Sequence, residues 1–314
     1  MAEEAQHRRV KTVLAFAAIY LLWGSTFLAI RVGVAEVPPF LLAAMRFLIA
    51  GLALYLWMIV RGEGSPTARE WRSAFLVAIL IFVFDYGLLF WAEQRVPSGI
   101  AAIMMATIPV FMCLSEILLL GSRRFTVRLG VAFLIGIAGV AVLMSRSVRL
   151  GGAPIETRGA AALILASISW SVSSAVTRRL PLPPSKVMNA GAQMLAGGVL
   201  LTLTAAALGE FGRFHPLAVS GAAWLALAYL IVAGSIVAFT AYVWLIHHES
   251  PTKVGTYAYV NPVVAVVIGY FLGGEALGTR TILGTLFVLI SVVVIGTTPA
   301  AGYAGRSVSA GGGK

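Results

Sequence analysis

The chain has 314 residues, of which 60% are hydrophobic and 11% are charged, whereas soluble domains carry about 25% charged residues. This composition excludes an ordinary soluble fold, because a water-facing protein of this length could not bury so much apolar surface. The net charge of +11 does not indicate nucleic-acid binding, since the basic residues fall between apolar runs and form no single patch.

Ten apolar runs approach or exceed the length of about 20 residues that a helix needs to cross the bilayer. In chain order they cover residues 12–30, 38–60, 73–92, 98–120, 127–144, 159–177, 187–208, 221–246, 254–273 and 281–297. The connections are short and polar or contain proline, so no soluble domain is inserted. The first run follows a basic tail, residues 1–11, without a cleavage site, which predicts a retained helix. The Gly- and Ser-rich tail, residues 299–314, is predicted to be disordered.

The positions of the basic residues indicate how the chain is oriented. If the N-terminus is cytoplasmic, most Lys and Arg residues fall in cytoplasmic segments. The positive-inside rule therefore predicts that both tails are cytoplasmic. The loop 146–158 opposes this orientation, because it places three arginines on the other side.

The chain contains an internal repeat. Trp23–Arg31 (WGSTFLAIR) aligns with Trp170–Arg178 (WSVSSAVTR) at an offset of 147 residues. The same offset pairs Arg46 with Gln193 and Gly51 with Gly198, and an offset of 153 pairs Pro109 with Pro262 and Gly121 with Gly274. Because five helices are an odd number, the two halves enter the membrane from opposite sides. Such inverted repeats are typical of alternating-access carriers.

The predicted fold is therefore all-α and integral to the membrane. It has ten transmembrane helices in two inverted five-helix repeats, residues 12–147 and 157–298, around a central cavity.

Four segments also carry a family resemblance. They are YLLWGSTFLAIR (20–31), RFLIAG (46–51), VPSGIAAIMMATIPVF (96–111) and SPTKVGTYAYVNPVVAVVIGYFLGGEALG (250–278). They resemble the drug/metabolite transporter superfamily, specifically its EamA-like family of amino acid and metabolite exporters. The first half departs from the family pattern, with Gly121-Ser122 where the family often has Gly-Glu. The resemblance implies ten helices and export of amino acids, aromatic ones among them, or related metabolites across the bacterial inner membrane.

Three ionisable residues lie well inside the apolar runs: Arg46, Asp85 and Glu116. Each costs about 2.5–3.5 kcal/mol at the bilayer centre on insertion scales, so each needs a partner or a wet cavity. Arg46 and Asp85 have similar predicted depths, which permits either a solute site or a buried structural ion pair. Asp85 and Glu116 are the candidates for proton coupling, although Glu116 could instead pair with Arg72 or Arg128.

Further candidates for the cavity are aromatic, polar or flexible side chains predicted to lie deep in the helices. They are Trp23, Tyr86, Met104, Trp170, Gln193, Tyr257, Tyr259 and Asn261. A buried tyrosine hydroxyl needs a hydrogen-bond partner that lipid does not offer, so the tyrosines are expected to face the protein interior. Plain helix packing is the competing interpretation for each residue. Pro109 and Pro262 bend their helices and are the candidate gating positions.

The sequence contains no Walker, GxSxG, HExxH or dinucleotide motif, so no enzyme activity, cofactor or metal ion is predicted. The prediction is a secondary transporter for a small-molecule substrate, in the lipid bilayer, as a monomer or weak homodimer. A nucleotide-sugar, phosphate or lipid translocase would share this topology, but it should need several basic groups in the cavity. A channel-like facilitator is disfavoured by the inverted repeat with kinked helices. An intramembrane enzyme would need a nucleophile and base pair, or metal ligands, within the apolar runs, and His247 and His248 lie at a loop edge without such partners.

Overall fold

The computed structural model describes residues 2–120, 125–144, 155–177, 179–248 and 257–297. These ranges contain ten apolar helical units and no strand. They are α1 (Ala2–Val34), α2 (Pro39–Val60), α3 (Ala68–Glu93), α4 (Ser98–Met105, Ile108–Ser115 and Glu116–Leu120), α5 (Val127–Met144), α6 (Thr157–Thr177), α7 (Lys186–Ala207), α8 (Gly221–Tyr229, Leu230–Val237 and Ala238–His248), α9 (Tyr257–Phe271) and α10 (Thr279–Thr297).

Eight of these units are long and apolar enough to cross a membrane, and α5 and α9 contain shorter apolar helices. The predicted all-helical membrane fold is therefore confirmed. The segment predicted as an N-terminal tail continues α1 back to Ala2. The tail 299–314 lies outside the described residues.

Local sequence explains where several helices begin. Proline occupies the first position of α2, where a missing N–H is tolerated. Thr67 begins α3 with a capping box, because its side chain accepts from the Glu70 backbone while the Glu70 carboxylate accepts from the Thr67 backbone. Ser220 caps α8 through a hydrogen bond from the Ala223 backbone.

The contacts where α2 crosses α7 follow the inverted repeat. A Cβ atom on Gly51 would lie 2.6 Å from the backbone nitrogen of Leu195, and one on Gly198 would lie 2.8 Å from that of Leu48. These contacts are equivalent, because both pairs are related by the 147-residue offset. The two helices cross antiparallel, as equivalent helices of an inverted repeat must.

The first helix of each half packs against the other half. α1 contacts α8 and α9, and α6 contacts α3 and α4. The bundle consequently has two ends. The Glu275 end is the one where α1 ends and α2 begins, with the links 94–97 and 272–278. The Arg179 end is the opposite one, with the links 61–67 and 179–185.

Buried apolar residues are distributed differently at these two ends. One large cluster joins both halves toward the Glu275 end and includes Ile30, Phe47, Phe90, Ile103, Leu163 and Leu230. Toward the Arg179 end, the described residues form two separate smaller clusters, one with Ile19 and Leu245 and one with Cys113, Leu129 and Ile295. Among the described residues, the larger buried contact between the halves is therefore at the Glu275 end.

Candidate functional site

α3 and α8 carry π-helical segments at equivalent positions, Ile79–Gly87 and Leu230–Val237. In each π-helical segment, one backbone carbonyl accepts a hydrogen bond from a side chain on the first helix of the opposite half. Ser169 Oγ donates to the Leu80 carbonyl at 2.8 Å, and Trp23 Nε1 donates to the Gly234 carbonyl at 3.0 Å. Such π segments occur frequently at functional sites.

Arg46 is buried in the bundle, with 3% of its surface exposed. Its Nε donates to Ser235 Oγ of α8 at 2.9 Å. The guanidinium carbon lies 4.8 Å from the ring centre of Phe47 and 5.4 Å from that of Tyr86. Nη1 has no hydrogen-bond partner in the described part of the chain. A guanidinium held by rings with a free N–H group can bind a carboxylate.

The possible Arg46–Asp85 ion pair is absent among the described residues. Asp85 is 1% exposed, and its Oδ1 has no hydrogen-bond partner there. The two residues have similar depth, but depth does not fix the direction of a side chain around a helix. The π segment that contains Asp85 changes that direction further.

Aromatic rings from both halves surround this region. Tyr86 contacts Trp170 edge to face, with ring centres 6.1 Å apart. Trp23 contacts Tyr257 at 5.2 Å and Tyr242 at 5.5 Å. Tyr242 and Tyr257 also contact each other edge to face, with ring centres 6.2 Å apart. The structure thus brings four predicted aromatic residues into ring contacts and adds Tyr242.

Exposure along α6 separates its lipid-facing side from its interior side. Leu165 is 57% exposed and Ile168 is 37% exposed, which marks the lipid face. Trp170 and Ser174 project from the opposite face at helical spacing, yet they are only half-buried. Ser167 lies on the same interior face as Ser174, two turns nearer the Glu275 end, and is fully buried. On this face of α6, burial is therefore complete at Ser167 and lower at Trp170 and Ser174, toward the Arg179 end.

The remaining polar candidates have local partners. Gln193 is half-buried and donates to Asn189 Oδ1 at 2.7 Å on its own helix. Asn261, in the amide orientation that satisfies its hydrogen bonds, donates to the carbonyls of Tyr257 and Tyr20 at 3.3 Å. Asn261 consequently links α9 to α1.

The other predicted site residues occupy several positions in the bundle. Met104 is fully buried in the large cluster. Pro109 follows a break in α4 after Met105, and Pro262 lies inside α9. Glu116 is half-buried at the Arg179 end, where it begins the segment Glu116–Leu120. The Tyr259 side chain lies outside the described residues.

Carboxylates join the two halves at the Glu275 end. Glu275 accepts hydrogen bonds from the backbone nitrogens of Ser98 (2.6 Å) and Gly99 (3.0 Å), and it lies 3.5 Å from Arg31 Nε. It thereby caps the N-terminus of α4 from the other half, where a negative charge is favourable.

Two further carboxylates at this end also accept hydrogen bonds at the start of a helix in the other half. Glu210 accepts from the Leu41 backbone at 2.8 Å, at the start of α2. Glu36 accepts from the Ser220 backbone nitrogen and hydroxyl, both at 2.6 Å, at the start of α8. The Ser220 bonds lower the pKa of Glu36. Burial raises the pKa of Glu210, against the opposing effect of the Leu41 amide.

The sequence did not single out Glu93 or Ser235. Glu93 lies one position beyond the third apolar run, where an acid resembles an ordinary interface residue. Ser235 is one of several serines in the apolar runs, and its bond to Arg46 spans the two halves. The repeat relates α2 to α7 and α3 to α8 but does not determine which of these helices pack, so the sequence contained no signal for this bond.

Comparisons with known proteins agree with this geometry. A family model described as the EamA-like transporter family matches residues 10–145 and 157–297. An uncharacterized inner membrane transporter of Escherichia coli (strain K12), YedA, is 40% identical over 284 residues, which cover 90% of this chain and 89% of that protein. Protein PecM of Dickeya dadantii (strain 3937) is 26% identical, covering 87% and 88%. A solved structure described only as "Crystal structure of protein" has a TM-score of 0.60 and 26% identity, covering 91% and 95%.

Proposed function

The chain belongs to the EamA-like transporter family, and we propose that it exports amino acids, aromatic ones among them, or related small metabolites by alternating access. It is a transporter whose relatives include an inner membrane protein. The observation that carries the choice of substrate is Arg46, buried among aromatic rings with Nη1 free of protein partners in the described residues.

Arg46 Nη1 would bind the carboxylate of the solute. The rings of Tyr86, Trp170, Trp23 and Tyr257 offer flat apolar faces that suit an aromatic side chain. Asp85 precedes Tyr86 in α3, and its Oδ1 has no hydrogen-bond partner among the described residues. It is the proposed acceptor for the ammonium group of the solute or for a coupled proton.

Both repeats, residues 12–147 and 157–298, would move in this cycle. With both termini cytoplasmic, the Glu275 end would face the periplasm, and the less buried face of α6 near Ser174 would open to the cytoplasm. The π segments of α3 and α8, the break at Pro109 and the kink at Pro262 supply places where helices can bend. Solute would enter from the cytoplasm and leave after the Glu275 end opens.

A nucleotide-sugar, phosphate or lipid translocase is less well supported. Phosphate groups are held by several basic side chains. Among the described residues, Arg46 is the one guanidinium within reach of the aromatic site. An amino acid carboxylate needs only one such partner.

Exchange in proteoliposomes tests this function. The purified chain should exchange tritiated L-phenylalanine for unlabelled L-phenylalanine, and excess glucose 1-phosphate should not compete. Arg46→Gln, which copies the equivalent Gln193, should raise the half-saturating concentration roughly 10- to 100-fold, because a hydrogen bond to a charged group contributes about 1.5–3 kcal/mol.

The matched control is Arg61→Gln, since Arg61 is exposed in the link between α2 and α3. It should exchange like the parent protein. Unchanged exchange in Arg46→Gln would reject the role of Arg46. Competition by glucose 1-phosphate, without competition by a panel of amino acids, would favour the phosphate carrier instead.

A further inference from the structure

Glu93, the last residue of α3, is a buried carboxylate that the proposed site does not use. It is 1% exposed, and neither of its oxygens has a hydrogen-bond partner in the ranges that the structure describes. The Arg31 backbone N–H comes near it without the geometry of a hydrogen bond. A carboxylate buried without partners loses several kcal/mol of hydration, and such a group binds a proton instead.

In the closed form, no basic side chain of the described residues donates a hydrogen bond to Glu93. The charged groups that act on it are Arg31 from α1, Arg46 from α2 and Glu275 from the link between α9 and α10. Arg31 is already engaged, because its Nη1 donates to the Val96 carbonyl at 2.8 Å and its Nε lies 3.5 Å from Glu275. Arg31 therefore already pairs with the carboxylate of Glu275.

A small crevice lies beside Glu275 at this end of the bundle. It has a volume of about 10 Å³ and is lined by Gly99, Tyr270, Glu275 and Leu277, among others. That is close to the space of one water molecule. Tyr270 and Leu277 are 48% and 42% exposed, so the crevice lies at the surface of the Glu275 end. Ser98 Oγ, beside the capped backbone, is also buried without a partner within the described ranges.

We propose that Glu93 is a proton-binding site that takes up one proton when the Glu275 end closes and returns it to water when that end opens. In the closed form the carboxyl is neutral, so no charge is buried. In the open form water hydrates the carboxylate, and Arg31 and Arg46 attract it. The inference rests on the alternating-access part of the proposed function but not on the identity of the solute.

The sign of the pH effect follows from this exchange. The closed form holds one more proton than the open form, so a rise in pH favours opening. For one proton, the opening equilibrium changes by up to tenfold per pH unit. A neutral glutamine at position 93 removes the titrating group and should keep the end closed at every pH.

The test measures thiol labelling at the closed end in the full-length protein in liposomes. Cys113 is replaced by alanine, and Ser167→Cys reports opening, because Ser167 is fully buried in the closed form. Labelling rates of this reporter are compared with and without Glu93→Gln between about pH 6 and pH 8. Dividing the labelling rate of the parent reporter by that of its Glu93→Gln variant cancels the ionisation of the thiol itself. This ratio should increase several-fold for each unit of increasing pH, toward the tenfold limit.

Glu156→Gln is the matched control, because Glu156 is an exposed carboxylate at the same end, 3.7 Å from Arg95. It should follow the parent at every pH. A ratio that does not change with pH, or faster labelling in Glu93→Gln than in the parent, would overturn the proposal. Absence of labelling at every pH would count against alternating access itself.

A second measurement does not depend on the folding of the Glu93 variant. The labelling rate of the parent reporter is compared with that of free cysteine over the same pH range. The protein thiol should show the steeper dependence, by up to tenfold per pH unit. Equal slopes would also overturn the proposal.

Discussion

At the Glu275 end, three glutamates accept hydrogen bonds across the boundary between the halves, whereas at the Arg179 end the described polar links come from exposed arginines. Arg179 donates to the Leu119 carbonyl at 2.8 Å, and Arg128 donates to Thr297 Oγ1 at 3.0 Å. Exposed interactions of this kind contribute little to stability. A carboxylate at a helix N-terminus makes stronger, charge-assisted bonds.

This difference teaches how an inverted repeat can rest in one conformation. Ideal symmetry would make the two ends equally stable. At the 153-residue offset, the counterpart of Glu275 is Ser122. Ser122 lies outside the described residues, but a serine carries no charge and cannot make an anionic cap. The sequence therefore favours closure at one end and leaves the other more easily opened.

The largest expected effect is a difference in thiol accessibility between the two ends, measured at two serines on one face of α6. In a Cys113→Ala background, Ser174→Cys should react with a water-soluble thiol reagent roughly 100-fold faster than Ser167→Cys, corresponding to about 2.7 kcal/mol for local opening. Both substitutions are nearly isosteric. Ser174 is half-buried toward the Arg179 end, and Ser167 is fully buried. Equal rates would contradict the closed and open assignment.

A second, smaller effect should come from weakening the cap that Glu275 makes on α4. Glu275→Gln keeps the shape of the side chain but removes the charge that binds the Ser98 and Gly99 nitrogens. Loss of about 1.4 kcal/mol from these charge-assisted bonds should speed labelling of Ser167→Cys about tenfold. Labelling of Ser174→Cys serves as the control and should not become faster. An unchanged Ser167→Cys rate would show that the cap does not hold this end closed.

The smallest effect concerns the other two caps and sharpens the comparison within the Glu275 end. Glu210→Ala should lower the free energy of unfolding by about 1 kcal/mol, the typical value of a helix cap. Glu36→Ala should have less effect, because Glu36 is exposed to water. Thermal unfolding of the purified protein in detergent measures both. A larger loss in Glu36→Ala than in Glu210→Ala would reverse the ranking.

The two caps should also respond oppositely to pH. The pKa of Glu36 is lowered, so its contribution is present above its ordinary value and is lost as the pH falls through the folded-state pKa. The pKa of Glu210 is raised, so its contribution falls as the pH rises through that raised value. Repeating the unfolding experiment between about pH 4 and pH 7 with each variant separates these signs.

Much of the fold could be predicted from local sequence. Hydropathy predicted all ten helical units, because each must match the thickness of the hydrocarbon core. The helix α1 begins before its apolar run, because hydropathy predicts the part of a helix that lies in the hydrocarbon core and not where the helix begins or ends. The repeat identified Gly51 and Gly198 as equivalent, and both lie at the α2–α7 crossing.

The candidate site was only partly predictable. Trp23, Tyr86, Trp170 and Tyr257 do lie in connected aromatic groups, because rings placed deep in apolar helices pack together. Met104, by contrast, is buried in the large cluster. Its burial could not be predicted, because it depends on how the helices pack at the Glu275 end.

By itself, the sequence determined the membrane fold, the number of helices, the inverted repeat and the presence of Arg46 inside a span. These are local properties, or similarities, that can be read along the chain. Only the tertiary structure decided that Arg46 bonds Ser235, 189 residues away, that Glu93 has no partner in the described ranges, and that the Glu275 end is the closed one. Such outcomes depend on which faces of distant helices meet, and a hydropathy pattern does not contain that information.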